Sequence, residues 1–118
     1  MTDPDRLVVL AEDARGEAVG FASLCRGPLE WELELEPQLA PERELVKLYT
    51  LESTHGSGLG ARLLEAAAGG DEPVYLWIMS GNERAEAFYR KHGFREIGRR
   101  FPADGPWSGQ DTYRMRRS

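Results

Sequence analysis

Three glycines at alternate positions, Gly56, Gly58 and Gly60, constrain the fold of this chain more than any other feature of its sequence. The preceding segment, Glu44–Leu51 (ELVKLYTL), has the composition of a buried β-strand. The following segment, Leu59–Ala68, has the apolar spacing of an amphipathic helix. Glycines let the backbone approach a ligand, and a helix start presents unpaired N–H groups at its positive end, which favours an anion such as pyrophosphate. The glycines alone are equally consistent with a flexible turn that binds nothing.

Two familiar phosphate-binding loops fit this segment poorly. A Walker A loop requires Lys and then Ser or Thr after its last glycine, whereas Ala61 and Arg62 stand there. A dinucleotide-binding pattern, G-x-G-x-x-A, can be aligned on Gly56 and Ala61. In that fold, however, the glycines follow the first strand directly. Here Glu52–His55 intervene, so a Rossmann site is a poor alternative.

Other segments of the chain have the apolar, β-branched or aromatic composition of strands. They are Leu7–Leu10, Ala18–Leu24, Val74–Met79, Phe94–Phe101 and Thr112–Arg116. The polar stretch that ends at Gly16 predicts a hairpin between the first two. Trp31, Leu33 and Leu35 alternate with glutamates, which predicts a further, half-buried strand with one wet face.

The helix that starts at Leu59 is predicted to end at Gly69. A second helix is predicted to begin at Asn82, a good N-cap residue, and to end at Gly93. His92 fits a C-terminal capping position better than a titrating site in the chemistry.

The order of these elements predicts an α+β fold with a mixed central sheet and helices packed on it. The strand–helix–strand unit around the glycines implies a parallel pair with a right-handed crossover, and the flanking hairpins add antiparallel strands. A length of 118 residues indicates one domain, 1–118.

The composition of the chain argues against several classes of protein. A net charge of -5 argues against a nucleic-acid-binding protein, because phosphate contacts need a basic face. No segment is apolar enough to span a membrane, and the first residues lack a secretory signal, so we expect a cytoplasmic protein. The single cysteine, Cys25, lies in an apolar stretch and is interpreted as structural. No metal-ligand spacing occurs, and no metal site is predicted.

Two blocks between Glu44 and Arg100 resemble the core of the GNAT superfamily of acetyltransferases. ELVKLYTLESTHGSGLGARLLEAA is similar to the family's fourth strand, pyrophosphate loop and third helix. VYLWIMSGNERAEAFYRKHGFREIGRR is similar to its fifth strand, fourth helix and sixth strand. The resemblance implies the GNAT (acyl-CoA N-acyltransferase) fold and transfer of acetyl from acetyl-CoA to a primary amine, on a small molecule or a protein, by direct attack in a ternary complex.

By this resemblance the strand end pairs its backbone with the pantetheine arm of coenzyme A, and one N–H there polarises the thioester carbonyl. The loop amides hold the pyrophosphate, and Asn82 holds the cofactor from the next helix. The implied cofactor contacts are Tyr49, Thr50, Leu51, His55, Gly56, Ser57, Gly58, Leu59, Gly60, Ala61, Asn82 and Tyr89.

The resemblance implies two catalytic residues. Tyr89 occupies the tyrosine of the family motif A-x-x-F-Y-x-x-x-G-F and is expected to protonate the leaving thiolate; the alternative is a helix-packing role. Glu44 stands where the family often has an acidic residue and is expected to take the amine proton, directly or through water. A solvated strand-end glutamate is an equal alternative for Glu44, and Glu34 and Glu36 are weaker candidates.

The sequence departs from the family pattern in two places. His55 stands where Gln or Arg is usual, and few residues precede the hairpin where the family has a strand and two helices. We therefore expect an N-terminally abbreviated fold whose exposed sheet face is covered by a second copy or a partner chain, with Trp31, Leu33 and Leu35 as contacts. The alternatives are that residues 30–43 fold back over the sheet, and that the chain is a non-catalytic acyl-CoA-binding subunit.

Overall fold

Six β-strands and three α-helices form the chain in the computed structural model, which describes residues 6–39, 41–103 and 105–118. They fall into two compact units, Met1–Glu72 and Pro73–Ser118. Residues 1–5, which bear on the expected absence of a secretory signal, lie outside the described residues, as does Asp104. Within the described ranges, no helix has both the length and the apolar character needed to cross a membrane.

The first unit contains three antiparallel strands in the order β1 (Leu7–Glu12), β2 (Ala18–Gly27) and β3 (Glu42–Thr50). The predicted hairpin is confirmed: β1 and β2 pair antiparallel, and the turn between them contains Gly16 at φ +80°. Asp13 stabilises this turn, because its carboxylate accepts hydrogen bonds from the backbone N–H groups of Arg15 (2.8 Å) and Glu17 (3.0 Å).

Helix α2 (Leu59–Ala68) spans the residues expected from the sequence and packs against all three strands. Its apolar side chains Leu63 and Leu64 are buried. The approach is close at Gly20 of β2, where an added Cβ would lie 2.8 Å from the Tyr49 carbonyl oxygen and 3.0 Å from Leu63 Cδ1. Gly20 therefore lies on the face of the sheet that α2 covers, and Ala22, two residues on, is fully buried on that face.

Strand β3 carries a β-bulge at Val46. Ser23 pairs with Lys47 and the next residue, Leu24, pairs with Leu45, so that Val46 is an extra residue on β3. An extra residue reverses the alternation of side chains between the two faces of a sheet. The bulge therefore sets which face each residue on its N-terminal side occupies.

The predicted strand through Trp31, Leu33 and Leu35 is wrong. Residues Glu30–Leu35 form a short helix, α1, whose three apolar side chains are 44%, 38% and 36% exposed. Glu32, expected on the wet face, is fully buried, and its carboxylate accepts a 2.6 Å hydrogen bond from the Leu29 N–H. Glu and Leu are strong helix formers, and the short carboxylate bond caps the helix start, so local propensity outweighs the alternating pattern.

The second unit contains β4 (Val74–Met79), helix α3 (Glu83–Lys91), β5 (Arg95–Pro102) and β6 (Asp111–Arg117). Strand β6 lies between β4 and β5 and pairs antiparallel with both. Both predicted ends of α3 are confirmed. At its start, the Asn82 side chain accepts a hydrogen bond from the Ala85 N–H at 3.3 Å. At its end, His92 is the C-cap residue, and the next residue, Gly93, has φ +93°.

The buried interior of the second unit comes from residues of β4 and β6 together with Phe94. Tyr113 and Met115 of β6 are fully buried, as are Val74 and Phe94. The Tyr113 hydroxyl donates a 2.8 Å hydrogen bond to Glu86 of α3, so the buried phenol has a partner for its polar end.

Arg43 of β3 holds the C-terminal end of α2 in the first unit. Its guanidinium donates to the carbonyl oxygens of Ala68 and Gly69, each at 3.4 Å, and to the carbonyl of Glu72. Its Nε also lies 3.5 Å from the Glu72 carboxylate, and its side chain is 14% exposed. Arg26 pairs with the same carboxylate at 3.0 Å, but its side chain is 50% exposed.

We therefore expect the two arginines to differ in their contribution to stability. Arg43→Ala removes the guanidinium donor from partly buried carbonyls and should lower the free energy of unfolding by about 2–3 kcal/mol. Arg26→Ala removes an exposed ion pair and should lower it by about 0.5 kcal/mol or less. Urea unfolding of both variants measures the difference, and equal losses would contradict this account of Arg43.

Candidate active site

The loop between β3 and α2 is held by its own hydrogen bonds. After Leu51 the chain makes a 3₁₀ turn, Glu52–Thr54, and the Thr54 hydroxyl donates to the Leu51 carbonyl at 2.6 Å. The Ser57 hydroxyl donates to the Thr54 carbonyl at 2.5 Å and accepts from the Leu59 N–H at 3.3 Å. These side-chain bonds add to the backbone bonds that Thr54 and Ser57 donate to the same two carbonyls, and together they fix the direction in which α2 begins.

Two of the three glycines are required by backbone conformation. Gly56 has φ +87° and Gly58, the N-cap of α2, has φ +84°. Among the described residues other than the chain neighbours, no atom lies within 4 Å of the Cβ position at either glycine. Their role is therefore to permit a left-handed turn and leave its surface open, whereas Gly20 is required by close packing.

The start of α2 presents four backbone donors. Within residues 6–39, 41–103 and 105–118, the N–H groups of Gly56, Gly58, Gly60 and Ala61 donate no hydrogen bond. Gly56 and Gly58 are exposed, and Gly60 and Ala61 are partly exposed. Open N–H groups at the positive end of a helix are the donors that a pyrophosphate binds, so these residues fit the phosphates of coenzyme A.

The strand end before this loop has one residue whose backbone faces away from β2. The Leu51 N–H donates to the Val19 carbonyl at 2.9 Å and is therefore engaged in the sheet. Backbone groups of successive strand residues point to opposite sides, so those of Thr50 point away from β2. Among the predicted residues Tyr49–Leu51, Thr50 is thus the one whose backbone N–H and C=O face away from β2.

Glu44 is 3% exposed and lies on the face of the sheet opposite α2. It pairs in register with Cys25, and Tyr49 pairs with Phe21, one residue from Gly20 of the α2 face. Glu44 and Tyr49 share that opposite face only because of the bulge at Val46. The sequence left two alternatives for Glu44, a general base or a solvated glutamate at a strand end. Because the Glu44 side chain is buried, it is not a solvated glutamate. The two weaker candidates for the base lie on or next to α1. Glu34 is exposed on that helix, and Glu36 is its C-cap residue.

Tyr89 lies on α3 between two aromatic rings. Its ring centroid is 5.3 Å from that of Phe88 and 5.4 Å from that of Phe94, both with edge-on geometry. Burial raises the pKa of Tyr89 to about 12. The two rings fix the orientation of the Tyr89 side chain.

The remaining predicted residues lie at the ends of elements. His55 is exposed and follows the 3₁₀ turn, with its backbone N–H donating to the Glu52 carbonyl at 3.1 Å. Asn82 is exposed, and its side-chain oxygen is engaged in capping α3, which leaves the amide NH₂ for a ligand. Glu44, Tyr49–Leu51 and the loop belong to the first unit, and Asn82 and Tyr89 belong to the second.

Comparison with known families gives a decisive match. The family described as an acetyltransferase (GNAT) domain matches residues 3–96. The chain belongs to the GNAT acetyltransferase family. An uncharacterised N-acetyltransferase of Mycobacterium tuberculosis is similar to this GNAT chain, with 36% identity over 105 residues. The match covers 85% of the chain and 60% of the relative, so the chain spans about three fifths of the length of that relative.

Solved structures confirm the predicted α+β class and GNAT fold. The histone acetyltransferase HPA2 and related acetyltransferase from Corynebacterium glutamicum is 29% identical, with a TM-score of 0.68, over 97% of this chain and 65% of that one. An acetyltransferase from Thermus thermophilus is 27% identical, with a TM-score of 0.65, over 98% of this chain and 65% of that one.

Sequence reasoning missed a polar network in the second unit of this GNAT chain. Glu86 accepts hydrogen bonds from Tyr113 (2.8 Å) and from Arg90 Nε (2.9 Å), which lower the pKa of Glu86. The guanidinium of Arg100 lies 4.0 Å above the Tyr113 ring and pairs with Glu96 at 2.8 Å. The pair Glu86–Arg90 has i,i+4 spacing on a helix and could be found from the sequence. The pair Glu96–Arg100 lies on β5, where that spacing predicts no contact, so neither this pair nor the convergence on Tyr113 could be found.

The raised pKa of Tyr89 predicts a loss of stability at alkaline pH. A pKa raised from 10 in the unfolded chain to about 12 adds stability that is complete below pH 10 and is lost as pH rises towards 12. Wild type should therefore lose more unfolding free energy over this range than Tyr89→Phe, by on the order of 2 kcal/mol. Urea unfolding at a series of pH values measures the difference. Tyr113 is present in both proteins, so parallel pH dependences would show that Tyr89 has an ordinary pKa.

Proposed function

We propose that this chain is an acyl-CoA-dependent N-acetyltransferase that transfers acetyl from acetyl-CoA to a primary amine by direct attack in a ternary complex. The observation that carries the proposal is the set of open backbone donors from Gly56 to Ala61 at the start of α2. Family membership supplies the class of reaction. The chain spans three fifths of its relatives' length, so the activity of the whole protein is part of the proposal.

The first unit supplies the binding groups. The N–H groups of Gly56, Gly58, Gly60 and Ala61 would hold the pyrophosphate of coenzyme A, with Ser57 and Leu59 forming the turn and His55 at its edge. Thr50 would pair its backbone with the pantetheine arm between Tyr49 and Leu51, and its N–H would polarise the thioester carbonyl. When bound, acetyl-CoA supplies an activated acetyl group. Asn82 would add an amide donor from the start of α3.

Tyr89 is proposed as the general acid. Its hydroxyl is protonated at neutral pH, as an ordinary phenol is, and it would give that proton to the thiolate as the thioester bond breaks. Phe88 and Phe94 hold its ring edge-on and limit its rotation.

Glu44 is proposed as the general base, because an amine must be neutral to attack a carbonyl. Its burial on the face of the sheet that carries Tyr49 supports this role over a purely surface one. It would take the proton from the amine directly or through one water. The proposed acceptor class, a primary amine on a small molecule or a protein, includes the class in the name of the Corynebacterium relative, a histone acetyltransferase.

The alternative function is a non-catalytic acyl-CoA-binding subunit. His55 in the loop position where the family usually has Gln or Arg is the observation that favours it. Both functions need the loop, but only catalysis needs the proton of Tyr89. Binding and turnover therefore have to be tested separately.

The binding proposal predicts a specific effect of Gly58→Ala. Alanine at φ +84° costs about 1–2 kcal/mol of stability and rotates the Gly58 N–H, so affinity for coenzyme A should fall at least about tenfold. Gly16→Ala is the matched control, because Gly16 has φ +80°, has no atom within 4 Å of its Cβ position, and lies in the β1–β2 turn. It should lose similar stability and bind normally. Titration calorimetry with coenzyme A measures both, and equal affinities would contradict the assigned loop role.

The catalytic proposal predicts that Tyr89→Phe keeps coenzyme A affinity within a few-fold and lowers kcat by about 10²-fold or more. Phenylalanine preserves the edge-on ring contacts, so thermal stability at neutral pH serves as the folding control. The assay follows thiol release from acetyl-CoA with a panel of small amines and amino-terminal peptides. Binding without thiol release in wild type would favour the subunit function, and an unchanged kcat in the variant would remove Tyr89 as the acid.

A further inference from the structure

A side-chain hydrogen bond joins helix α3 to the middle strand of the second unit. Tyr113 of β6 is fully buried, and its hydroxyl donates to the Glu86 carboxylate at 2.8 Å. The Glu86 side chain is 25% exposed, so the bond lies largely out of water. Hydrogen bonds to an ionised acceptor are shorter and stronger than neutral ones, and they are directional. The bond therefore restricts rotation of α3 about its axis at Glu86.

The phenol of Tyr113 is itself held in place. The guanidinium of Arg100 lies 4.0 Å from the centre of its ring. That guanidinium also donates to both oxygens of the Glu96 carboxylate, from Nε at 3.1 Å and from Nη2 at 2.8 Å. A bidentate pair fixes the plane of a guanidinium. Because the ring is buried and covered by a fixed cation, the Tyr113 hydroxyl is a rigid attachment point for the helix.

The proposed general acid lies one turn further along the same helix. Glu86 and Tyr89 are three residues apart on α3, so they are neighbours on its surface. The Tyr89 carbonyl accepts a 3.0 Å hydrogen bond from the Phe94 N–H, and the two rings lie edge-on at 5.4 Å. Phe94 thus holds the end of the helix, and Tyr113 holds its middle through Glu86. A change of helix rotation at Glu86 would move the Tyr89 hydroxyl.

Proton transfer is sensitive to such a movement. A general acid must lie within hydrogen-bond reach of the atom that it protonates. A displacement of about 1 Å caused by a remote mutation can lower a rate by about 10²-fold. The contacts that orient α3 are therefore expected to affect the leaving-group step without any contact with the reacting atoms.

We propose that Glu86 and Tyr113 are positioning residues for Tyr89: their hydrogen bond holds α3 at the rotation in which the Tyr89 hydroxyl faces the leaving thiolate. The inference rests on the proposed function, in which Tyr89 gives its proton to the sulfur. Glu86 and Tyr113 exchange no proton in this step and act through Tyr89 alone. The alternative is a pair that only stabilises the core.

Removal of one oxygen atom tests the proposal. Tyr113→Phe keeps the buried ring beside Arg100 and deletes only the donor to Glu86. It should lower kcat about tenfold and leave coenzyme A affinity and the KM for acetyl-CoA within about twofold. Steady-state thiol release measures kcat and KM, at a temperature well below the unfolding midpoint of each variant. An unchanged kcat, in an enzyme whose kcat Tyr89→Phe does lower, would overturn the proposal and leave the role of Tyr89 intact.

A double-mutant cycle separates positioning from core stability. If Tyr113 acts through Tyr89, Tyr113→Phe should lower kcat by less than about twofold once Tyr89 is already phenylalanine. A further loss of about tenfold in the double variant Y89F/Y113F would show that Tyr113 affects the reaction by another route and would overturn the proposal. An unchanged kcat in Tyr89→Phe alone would remove the proposed acid, and this inference with it.

Two changes at α3 provide a rescue and a control. Glu86→Ala removes the acceptor and should match Tyr113→Phe, whereas Glu86→Gln keeps an acceptor oxygen and should retain kcat within about threefold of wild type. Arg90→Ala is the matched control, because it removes the 2.9 Å bond from Arg90 Nε to the same carboxylate and leaves the Tyr113 bond in place. It should keep the wild-type kcat. Equal losses in Arg90→Ala and Glu86→Ala would show that the charge balance matters rather than the bond to Tyr113, and would overturn the proposal.

A spectroscopic measurement tests the same coupling without turnover. The chain has four tyrosines, and Tyr89→Phe identifies the nuclear magnetic resonance signals of the Tyr89 ring in protein that carries isotope-labelled tyrosine. The edge-on rings of Phe88 and Phe94 shift these signals. Tyr113→Phe should move them, and Arg90→Ala should leave them unchanged. Tyr89 signals that stay in place in Tyr113→Phe would overturn the proposal, whether or not the chain transfers an acetyl group.

Discussion

The contact between α2 and β2 at Gly20 is the constraint on which the first unit depends. With no side chain there, Leu63 of α2 packs close to the backbone of β2 at Gly20. This approach fixes where the helix begins, and the hydroxyls of Thr54 and Ser57 then determine how the chain reaches that point. The open amides from Gly56 to Ala61 follow from this geometry: a helix seated so closely on the sheet has its first turn beside the end of β3.

The second unit relies on a different interaction, a buried phenol paired with a carboxylate. Tyr113 is fully buried, and its hydroxyl reaches Glu86 on α3, so the helix is tied to the middle strand at one rotation about its axis. Glu86 is one turn before Tyr89 on the same helix. The hydrogen bond that stabilises the core therefore also sets the direction in which Tyr89 points. Structure and proposed chemistry thus share one helix and one set of contacts.

Much of this architecture could be predicted from the sequence, because local patterns and tertiary structure agree. The hairpin, the bounds of α2 and both ends of α3 follow from glycines, apolar spacing and the Asn82 cap. The prediction failed at α1, where Glu and Leu alternate but a buried glutamate caps a helix. Alternation alone could not reveal that Glu32 has a backbone partner. The Tyr113–Glu86 pair was also beyond the sequence, since it joins residues far apart in the chain.

The same limits apply to the candidate site. The loop and Tyr89 could be located from motifs, because each motif is continuous in the sequence. Which of Tyr49, Thr50 and Leu51 offers its backbone depends on strand pairing, and only the bond from Leu51 to Val19 distinguishes them. The burial of Glu44 likewise required the three-dimensional structure.

The bulge at Val46 reverses the alternation of side chains along β3. Odd-numbered residues after the bulge and even-numbered residues before it occupy the same face, which is why Glu44 and Tyr49 are on one face of the sheet. Loss or gain of one residue at this point would turn Glu44 towards α2 and leave the strand end in place. Alignments of this strand among relatives should therefore be anchored separately on each side of Val46. An insertion there would move the Glu44 carboxylate to the other face of the sheet without changing the loop.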